Sequence, residues 1–188
     1  MRPQPEHPRR ISIVGVTGSG KSKLAARIGE ITGLPWTSTD QLIWEPGWQL
    51  VDRPEQVRRI TEIVERDRWV LDGVPSSCLA TTLARADLVV ALDYPRWFSL
   101  QRLVRRTARR LVTREEICNG NQERLSETLS NDSILVWHFR SFTGNRAQIR
   151  ALLDDPDAPP VVRLTSQRAT DACCGSCRGV ELRALRNR

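Results

Sequence analysis

A glycine-rich turn between a predicted strand and a predicted helix constrains the fold of this chain more than any other feature. The run RISIVG (10–15) is apolar and β-branched, whereas Leu24, Ile28 and Ile31 follow at helical spacing. Between them, GVTGSGKS (15–22) fits the phosphate-binding pattern G-x-x-x-x-G-K-[ST]. An accidental glycine turn is disfavoured by the strand and helix on either side. This order predicts an α/β fold that binds a polyphosphate where a helix begins.

Each residue type in this turn suits a phosphate. Glycines let successive backbone N–H groups point inward, and the following helix adds the positive end of its dipole. Lysine occurs only at Lys21 and Lys23, although Lys and Arg together number 29, and a compact ammonium fits a tight turn better than the planar fork of arginine. A hydroxyl at Ser22 is a ligand for Mg²⁺. The predicted nucleotide contacts in the turn are Gly15, Thr17, Gly18, Ser19, Gly20, Lys21, Ser22 and Lys23.

Continuous apolar runs predict the remaining strands. They are RWVLDG (68–73), DLVVALD (87–93) and PVVRL (160–164), with a shorter strand at LPWTST that ends at Asp40. Strands of this kind, separated by helices, are typical of a parallel sheet that is buried on both faces. The sequence therefore predicts a doubly wound α/β fold.

Apolar residues at helical spacing predict the helices between these strands. The helix that opens at Pro54 carries Val57, Ile60, Ile63 and Val64 on one face. Further helices are predicted at LATTLARA, at 95–110 and from about 132 to 153, the last with an interruption near Thr143-Gly144 left open. The aromatic segment QLIWEPGWQLVDR and the polar segment TREEICNGNQERLSETLSND are predicted to be irregular.

The length of the chain and the composition of its ends limit the possible domain organisation. A chain of 188 residues suits one domain. Residues 1–9 have no apolar stretch, so we expect a short disordered arm and no secretory signal. Apolar runs are far shorter than the roughly 20 residues of a membrane-spanning helix. We therefore expect a cytoplasmic protein without a membrane segment, and a peripheral tail at 171–188.

Charge and cysteine content leave two questions open. A net charge of +7 and a pI of 9.9 favour anionic partners, or reflect only an arginine-biased composition. Five cysteines are an odd number in a chain too large to need disulfides, so reduced thiols are expected. The spacing in CCGSC (173–177) can bind zinc or serve redox chemistry, but no second pair exists and a tail without such a role is favoured.

Several segments together resemble a known class of enzymes. GVTGSGKS, VLDGVPSS and LDYPRWFSLQRLVRR resemble the adenylate-kinase-like branch of P-loop kinases. TDQLIWEPGW, RWVLDG, LARADLVVALDYPRW and LVRRTARR more closely resemble small bacterial topology modulation proteins, over about residues 10–165. The resemblance implies a P-loop NTPase of three layers, α/β/α, with a five-stranded parallel sheet. It also implies a kinase-like domain at 10–170 with a small, mobile, arginine-rich lid at about 111–131.

Two aspartates follow predicted strands, where ligands bind in such sheets. Asp72 could hold Mg²⁺ through water, or cap a turn before Gly73. Asp40 could accept a proton from an acceptor hydroxyl or help to bind the metal, or serve only as a loop or N-cap residue. The metal site is thus predicted at Ser22 and Asp72.

A row of arginines occupies one face of the helix predicted at 95–110. Arg102, Arg105, Arg106 and Arg109 stand at i, i+3, i+4 and i+7, where like charges oppose one another unless an anion is near. Arginines near a helix C-terminus also gain from its dipole, which offers a purely structural explanation. The family resemblance implies that Arg102 and Arg106, four residues apart, clamp the transferred phosphoryl group.

The acceptor region departs from adenylate kinases. Ser76 stands where those enzymes carry an arginine for the acceptor phosphate, and the apolar LIW (42–44) replaces a second such arginine. The segment instead offers Trp44, Trp48 and Arg53, whose rings either stack on a flat ligand or pack the loop against the protein. On the donor side, the resemblance implies adenine near LTSQR (164–168), with Thr165 as a contact.

These observations predict an ATP- and Mg²⁺-dependent kinase for a small-molecule acceptor. The alternative is a nucleotide-dependent regulatory protein that binds DNA or RNA, although no nucleic-acid module is recognisable. Oligomeric state is left open. Predicted catalytic residues are Lys21, Asp40, Arg102 and Arg106, and predicted acceptor contacts are Asp40, Trp44, Trp48, Arg53 and Asp72.

Overall fold

Five parallel strands form the central sheet of the protein, in a computed structural model that describes residues 7–122 and 133–176. The spatial order is β2-β5-β1-β6-β9, so the first strand lies in the middle. This confirms the predicted α/β fold and its five-stranded parallel sheet. The strands are β1 (Arg10–Gly15), β2 (Trp36–Ser38), β5 (Trp69–Asp72), β6 (Leu88–Leu92) and β9 (Val161–Leu164).

Helices cover both faces of the sheet. Every residue of β5 and β6 is buried, as expected for strands between two helical layers. The helices are α1 (Lys21–Thr32), α2 (Thr39–Ile43), α3 (Arg53–Val64), α4 (Ser76–Arg85), α5 (Arg96–Thr113), α6 (Ile134–Asp154) and α7 (Gln167–Ser176).

The predicted helices differ from the structure in detail. The side chain of Asp52 caps α3, and Ile60, Ile63 and Val64 face the core, but Val57 is 38% exposed and does not belong to that face. The long α6 passes through Thr143 and Gly144 without interruption. Glycine is tolerated within a helix when packing on either side stabilises the remaining turns.

Two segments expected to be irregular contain short hairpins. The aromatic segment forms β3 (Trp44–Glu45) and β4 (Gln49–Leu50), joined through a turn in which Gly47 and Trp48 have positive φ. We call it the aromatic hairpin. The polar segment forms β7 (Glu116–Ile117) and β8 (Asn121–Gln122), which we call the lid hairpin. Of the lid predicted at about 111–131, residues 111–113 belong to α5, and residues 123–131 lie outside the described residues.

The beginning of the chain is partly ordered. The backbone N–H groups of Arg9 and Arg10 each donate to a carboxylate oxygen of Asp87 at 3.0 Å, and the Arg10 guanidinium pairs with the other oxygen at 2.7 Å. The expectation of a disordered arm is therefore wrong at Arg9, because Asp87 ties it to the start of β6. Residues 1–6 of that arm lie outside the described residues.

The expectation of a peripheral tail is wrong for residues 171–176. They belong to α7, and Cys173 and Cys174 are each 1% exposed within the core cluster that also contains Leu24 and Ile28. Buried cysteine behaves as a small apolar residue, so Cys173 and Cys174 form part of an apolar helix face that was not identified from the sequence. Cys177 and the remainder of the tail lie outside the described residues. No cluster of metal-ligating side chains occurs between 7 and 122 or between 133 and 176.

None of the helices within these two described ranges has both the length and the apolar character to cross a bilayer.

Candidate active site

The glycine-rich turn leaves the middle strand of the sheet and leads directly into α1. Gly18 and Gly20 have φ values of 82° and 96°, a region that favours glycine, and Gly20 is the residue that precedes α1. The N–H of Ser19 donates to the carbonyl oxygen of Val16 at 3.1 Å and closes the turn. The backbone therefore curls around the N-terminus of α1, as an anion site requires.

Helix α5 packs so closely on this turn that side chains are excluded. A Cβ atom at Gly18 would lie 2.5 Å from the carbonyl oxygen of Ser99 and 2.9 Å from Cβ of Leu103. A Cβ atom at Gly20 would lie 2.8 Å from Nη2 of Arg102. Gly18 therefore serves both the turn geometry and the approach of α5, whereas at Gly20 the neighbour is the end of a flexible side chain and the positive φ is the main requirement.

Lys21 is the first residue of α1 and reaches back across the turn. Its Nζ donates to the carbonyl oxygen of Val16 at 3.3 Å. Burial lowers the pKa of Lys21, while attraction to Asp40 and Asp72 opposes that change. The ammonium therefore lies between the turn and two carboxylates.

Asp72, the last residue of β5, has an incompletely bonded carboxylate. It is 1% exposed, and Oδ1 accepts a hydrogen bond of 3.2 Å from the N–H of Thr39, whose hydroxyl donates to the backbone oxygen of Asp72. The carboxylate thus contacts the start of α2, and no hydrogen bond to it from the Gly73 turn is present among the described residues. Oδ2 is buried and has no hydrogen-bond partner among the described residues. A buried acceptor in this state fits a ligand that the protein itself does not provide.

Asp40 does not end a strand as predicted but lies in the first turn of the short helix α2. The strand β2 ends two residues earlier, because Thr39 turns away to bond with Asp72. The Asp40 side chain reaches solvent, and it interacts electrostatically with Lys21, Asp72 and Arg106. The surrounding protein raises the pKa of Asp40, and attraction to Lys21 opposes the rise.

The arginines of α5 divide between two faces of the helix. Arg102 and Arg106 are half-buried, as is Arg110, whereas Arg105 and Arg109 are exposed. The predicted row therefore does not act as one group: Arg109 forms an ion pair with Glu115 at 2.7 Å, outside the site.

Three half-buried arginines of α5 line the site along its length. Arg102 donates to Oε1 of Gln167 at 2.7 Å, and its guanidinium lies 5.5 Å from the ring centre of Phe98. Arg106 interacts electrostatically with both Lys21 and Asp40, and Arg110 with Asp40. Sequence reasoning missed Arg110, although extending the spacing of Arg102 and Arg106 by four residues identifies it.

A cavity of about 190 Å³ opens beside the turn. Ser19, Gly20 and Lys23 line one side, and Arg102 lines another. The remaining wall includes Gln167 and Asp171 of α7, which are hydrogen-bonded to each other at 3.0 Å. Thr165, the predicted contact, is exposed and is not part of this wall, because the cavity faces α7 and not the loop before it.

The tryptophans of the aromatic hairpin pack against protein. Trp44 and Trp48 meet edge to face at 5.7 Å, and the indole N–H of Trp48 donates to the backbone oxygen of Gln122 in the lid hairpin at 3.2 Å. Packing is thus the interpretation that the structure supports for these rings. Arg53 begins α3 as an exposed side chain, and the described residues show no hydrogen bond or ion pair from it to the site.

Asparagines of the lid hairpin join it to the aromatic hairpin. Asn121 accepts from the N–H of Trp48 at 2.8 Å and donates to the backbone oxygen of Glu45 at 2.9 Å. Asn119 donates to the backbone oxygens of Gln41 and Trp44 at 2.9 and 2.7 Å. The two hairpins therefore meet at one end of α2, next to Asp40. Neither asparagine was identified from the sequence, because nothing in a local pattern pairs segments more than 70 residues apart.

Comparison with known proteins identifies the fold. No family model matches the chain, and no curated protein matches it. Among solved structures, a shikimate kinase from Acinetobacter baumannii in complex with shikimate is 19% identical, with a TM-score of 0.55 and 91% of each chain covered. A shikimate kinase from Bacteroides thetaiotaomicron is 14% identical, with a TM-score of 0.56 and coverage of 90% of this chain and 96% of that one. A gluconokinase from Sinorhizobium meliloti is 20% identical, with a TM-score of 0.52 and coverage of 90% and 93%.

At these identities the likeness shows the fold alone. The chain shares the α/β fold of these solved kinases, in agreement with the broader resemblance of its motifs. The closer resemblance to topology modulation proteins gains no support from these structures.

Proposed function

We propose that this protein is a kinase that uses ATP and Mg²⁺ to phosphorylate a hydroxyl group of a small molecule. The observation that carries the proposal is that Lys21 bonds to the glycine turn and lies beside Gly73 at the end of β5, where it interacts electrostatically with Asp72 and Arg106. Phosphoryl transfer depends mainly on positioning and charge stabilisation, and these residues supply both. The fold shared with solved shikimate kinases and a gluconokinase supports the same class of reaction.

The phosphoryl donor would span the turn and the cavity. Backbone N–H groups of 15–22 would bind the phosphates, with Lys21 at the β- and γ-phosphates. The base would occupy the cavity between Arg102 and α7. Because Arg102 stands beside Gly20 and the cavity while Arg106 stands beside Lys21, we assign Arg102 to the base and inner phosphates and Arg106 to the transferred group.

Ser22 and Asp72 would hold Mg²⁺, the latter through water. Oδ2 of Asp72, which has no partner in the part of the chain that the structure describes, fits this role, since a carboxylate oxygen is a ligand that Mg²⁺ or its bound water prefers. When bound, the ion neutralises charge on the phosphate oxygens.

Asp40 would accept the proton of the acceptor hydroxyl. It reaches solvent and lies near Lys21 and Arg106, where the transferred group would be held. Arg110 would attract an anionic acceptor toward the same carboxylate region. In this proposal Trp44 and Trp48 contribute by shaping the wall around the acceptor, and Arg53 is a distant candidate at its entrance.

Release of ADP in the presence of an acceptor panel tests the proposal. The panel begins with shikimate and gluconate and extends to other hydroxy acids, polyols, nucleosides and nucleotides. We expect at least one acceptor to raise ADP release above the acceptor-free rate, with a phosphorylated product visible by mass spectrometry. If no acceptor does so, the kinase proposal fails.

Neighbouring arginines of α5 provide the matched control for this assay. Arg106→Ala should lower turnover about a hundredfold, because it removes the positive charge that would stabilise the transferred phosphoryl group. Arg105→Ala removes an equal charge from the exposed face of the same helix and should leave turnover within about twofold. Equal effects of the two changes would indicate that only the overall charge of α5 matters.

A further inference from the structure

Helix α6 places a histidine directly against the glycine turn. His138 is fully buried, and its Nδ1 lies 3.0 Å from the backbone oxygen of Thr17. The imidazole packs between α6 and the turn, with the ring of Phe142 at 5.7 Å between centres. A helix that is remote in sequence thus contacts the backbone expected to bind phosphate.

The hydrogen bond defines the tautomer of this histidine. A carbonyl oxygen can only accept, so Nδ1 carries the hydrogen and donates to Thr17. Nε2 is buried and has no hydrogen-bond partner among the described residues. Leaving a polar atom buried and unpaired destabilises the folded state. An apolar side chain of similar size would avoid this loss but would leave the oxygen of Thr17 without its donor, so the bond to Thr17 is what histidine contributes at this position.

The bonded carbonyl belongs to a peptide unit in the middle of the turn. In a trans peptide the C=O and the following N–H point in opposite directions, so holding the oxygen of Thr17 also orients the N–H of Gly18. On the other side, Ser99 and Leu103 of α5 lie too close to allow a Cβ atom at Gly18. This peptide is thereby held between α5 and α6.

We propose that His138 is a positioning residue that fixes the Thr17–Gly18 peptide in the orientation needed to bind a phosphate. The inference deepens the proposed function and rests on it for the identity of the ligand. A turn held in its binding orientation loses less conformational freedom when the phosphate binds, so the affinity for nucleotide is higher. His138 acts through the backbone of Thr17 and is buried behind it.

Two substitutions separate this role from simple packing. His138→Asn keeps a donor near the position of Nδ1, whereas His138→Leu fills the site without a donor. We expect His138→Leu to bind Mg·ATP about tenfold more weakly by calorimetry, because the turn is no longer held in its binding orientation. Its melting temperature should change little, because removal of the unpaired Nε2 offsets the lost bond to Thr17. His138→Asn should bind within about threefold of the original protein. Trp137→Ala, at the neighbouring exposed residue of α6, is the control and should change neither quantity.

A measurement without ligand separates the positioning role from the proposed function. Relaxation of the Gly18 amide by NMR should report greater motion in His138→Leu than in the original protein and in His138→Asn. Unchanged Gly18 motion in His138→Leu, or unchanged affinity where the original protein binds Mg·ATP, overturns the inference. If the original protein binds no nucleotide while Gly18 responds as expected, the positioning role stands and the proposed function fails.

Discussion

Single side chains in the candidate site have surroundings that ordinary surface residues lack. Lys21 is half-buried: its Nζ contacts the Val16 carbonyl, and its Cε lies beside Gly73, where an added Cβ atom would be 3.5 Å away. Within residues 7–122 and 133–176, Asp72 has one carboxylate oxygen that is hydrogen-bonded and one that has no partner. Substitutions at Lys21 and Asp72 therefore test which side-chain shape and charge each position requires.

Lys21→Ala and Lys21→Arg should both reduce turnover by about a hundredfold or more. Alanine removes the charge that faces the transferred phosphate, and arginine keeps it but cannot place its planar fork in the same space. Steady-state ADP release checks this, with melting temperature as the control for folding. Full turnover of Lys21→Arg would mean that charge alone is needed.

Asp72→Asn should raise the Mg²⁺ concentration required for half-maximal activity about tenfold, because a neutral amide attracts the hydrated ion less strongly. Its amide oxygen can still accept from the N–H of Thr39, so the melting temperature should change little. A magnesium titration of turnover measures the effect. Thr39→Val, which loses the hydroxyl bond to Asp72 but keeps the carboxylate, is the matched control and should show ordinary magnesium dependence.

At the scale of elements, the contact between the two hairpins lies beside the proposed acceptor site at Asp40. Asn121 is 4% exposed and bonds to Trp48, Glu45 and Cys118. Burial raises the pKa of the Cys118 thiol to about 11, so little thiolate exists while the hairpins are together.

Asn121→Ala should therefore accelerate alkylation of Cys118 by about tenfold, the effect of a fall of one pKa unit when the hairpins separate. Iodoacetamide labelling followed by peptide mass spectrometry measures this rate for Cys118 specifically. Gln122→Ala should leave the labelling rate unchanged, because the bond from Trp48 to Gln122 uses the backbone oxygen of Gln122 and not its side chain. Unchanged labelling in Asn121→Ala would show that the contact does not hold the hairpins together.

Elements differ in how far the sequence could predict them. The strands and α1 follow from runs and spacings that are local, and the glycine turn carries its own motif. Periodicity also placed arginines on α5, but it could not distinguish Arg106 from Arg105, because the burial of Leu103 and Thr107 against the protein decides which face is turned inward. The hairpin contact depends on Asn119 and Asn121, whose partners lie far away along the chain.

For the whole molecule, stability depends in part on the hydrogen bonds that join Arg9 and Arg10 to Asp87 at the start of β6. Burial favours protonation of Asp87, but hydrogen bonds from Arg10 and from the N–H of Arg9 outweigh it, so the pKa of Asp87 is lowered. A carboxyl group whose pKa is lowered on folding stabilises the folded state at pH values above its unfolded-state pKa. This stabilisation is lost as the pH falls through the folded-state pKa.

Asp87→Asn should therefore unfold more easily at pH 7, by about 1 kcal/mol once screening by solvent is allowed for. The difference from the original protein should persist down to about pH 5 and shrink at lower pH, where the original carboxylate is itself protonated. Urea unfolding at a series of pH values measures the difference. A gap that stays constant down to pH 2 would show that the charge of Asp87 does not contribute.

The glycine turn arises from the middle strand and is pressed between α5 and α6, whereas the two hairpins meet only through a few polar contacts near the periphery. Motion should therefore be distributed unequally. If the protein is the kinase proposed above, the glycine turn would move little from one catalytic cycle to the next, and the acceptor would enter where the hairpins separate. On this basis, the pace of turnover would be governed by how often that outer contact opens.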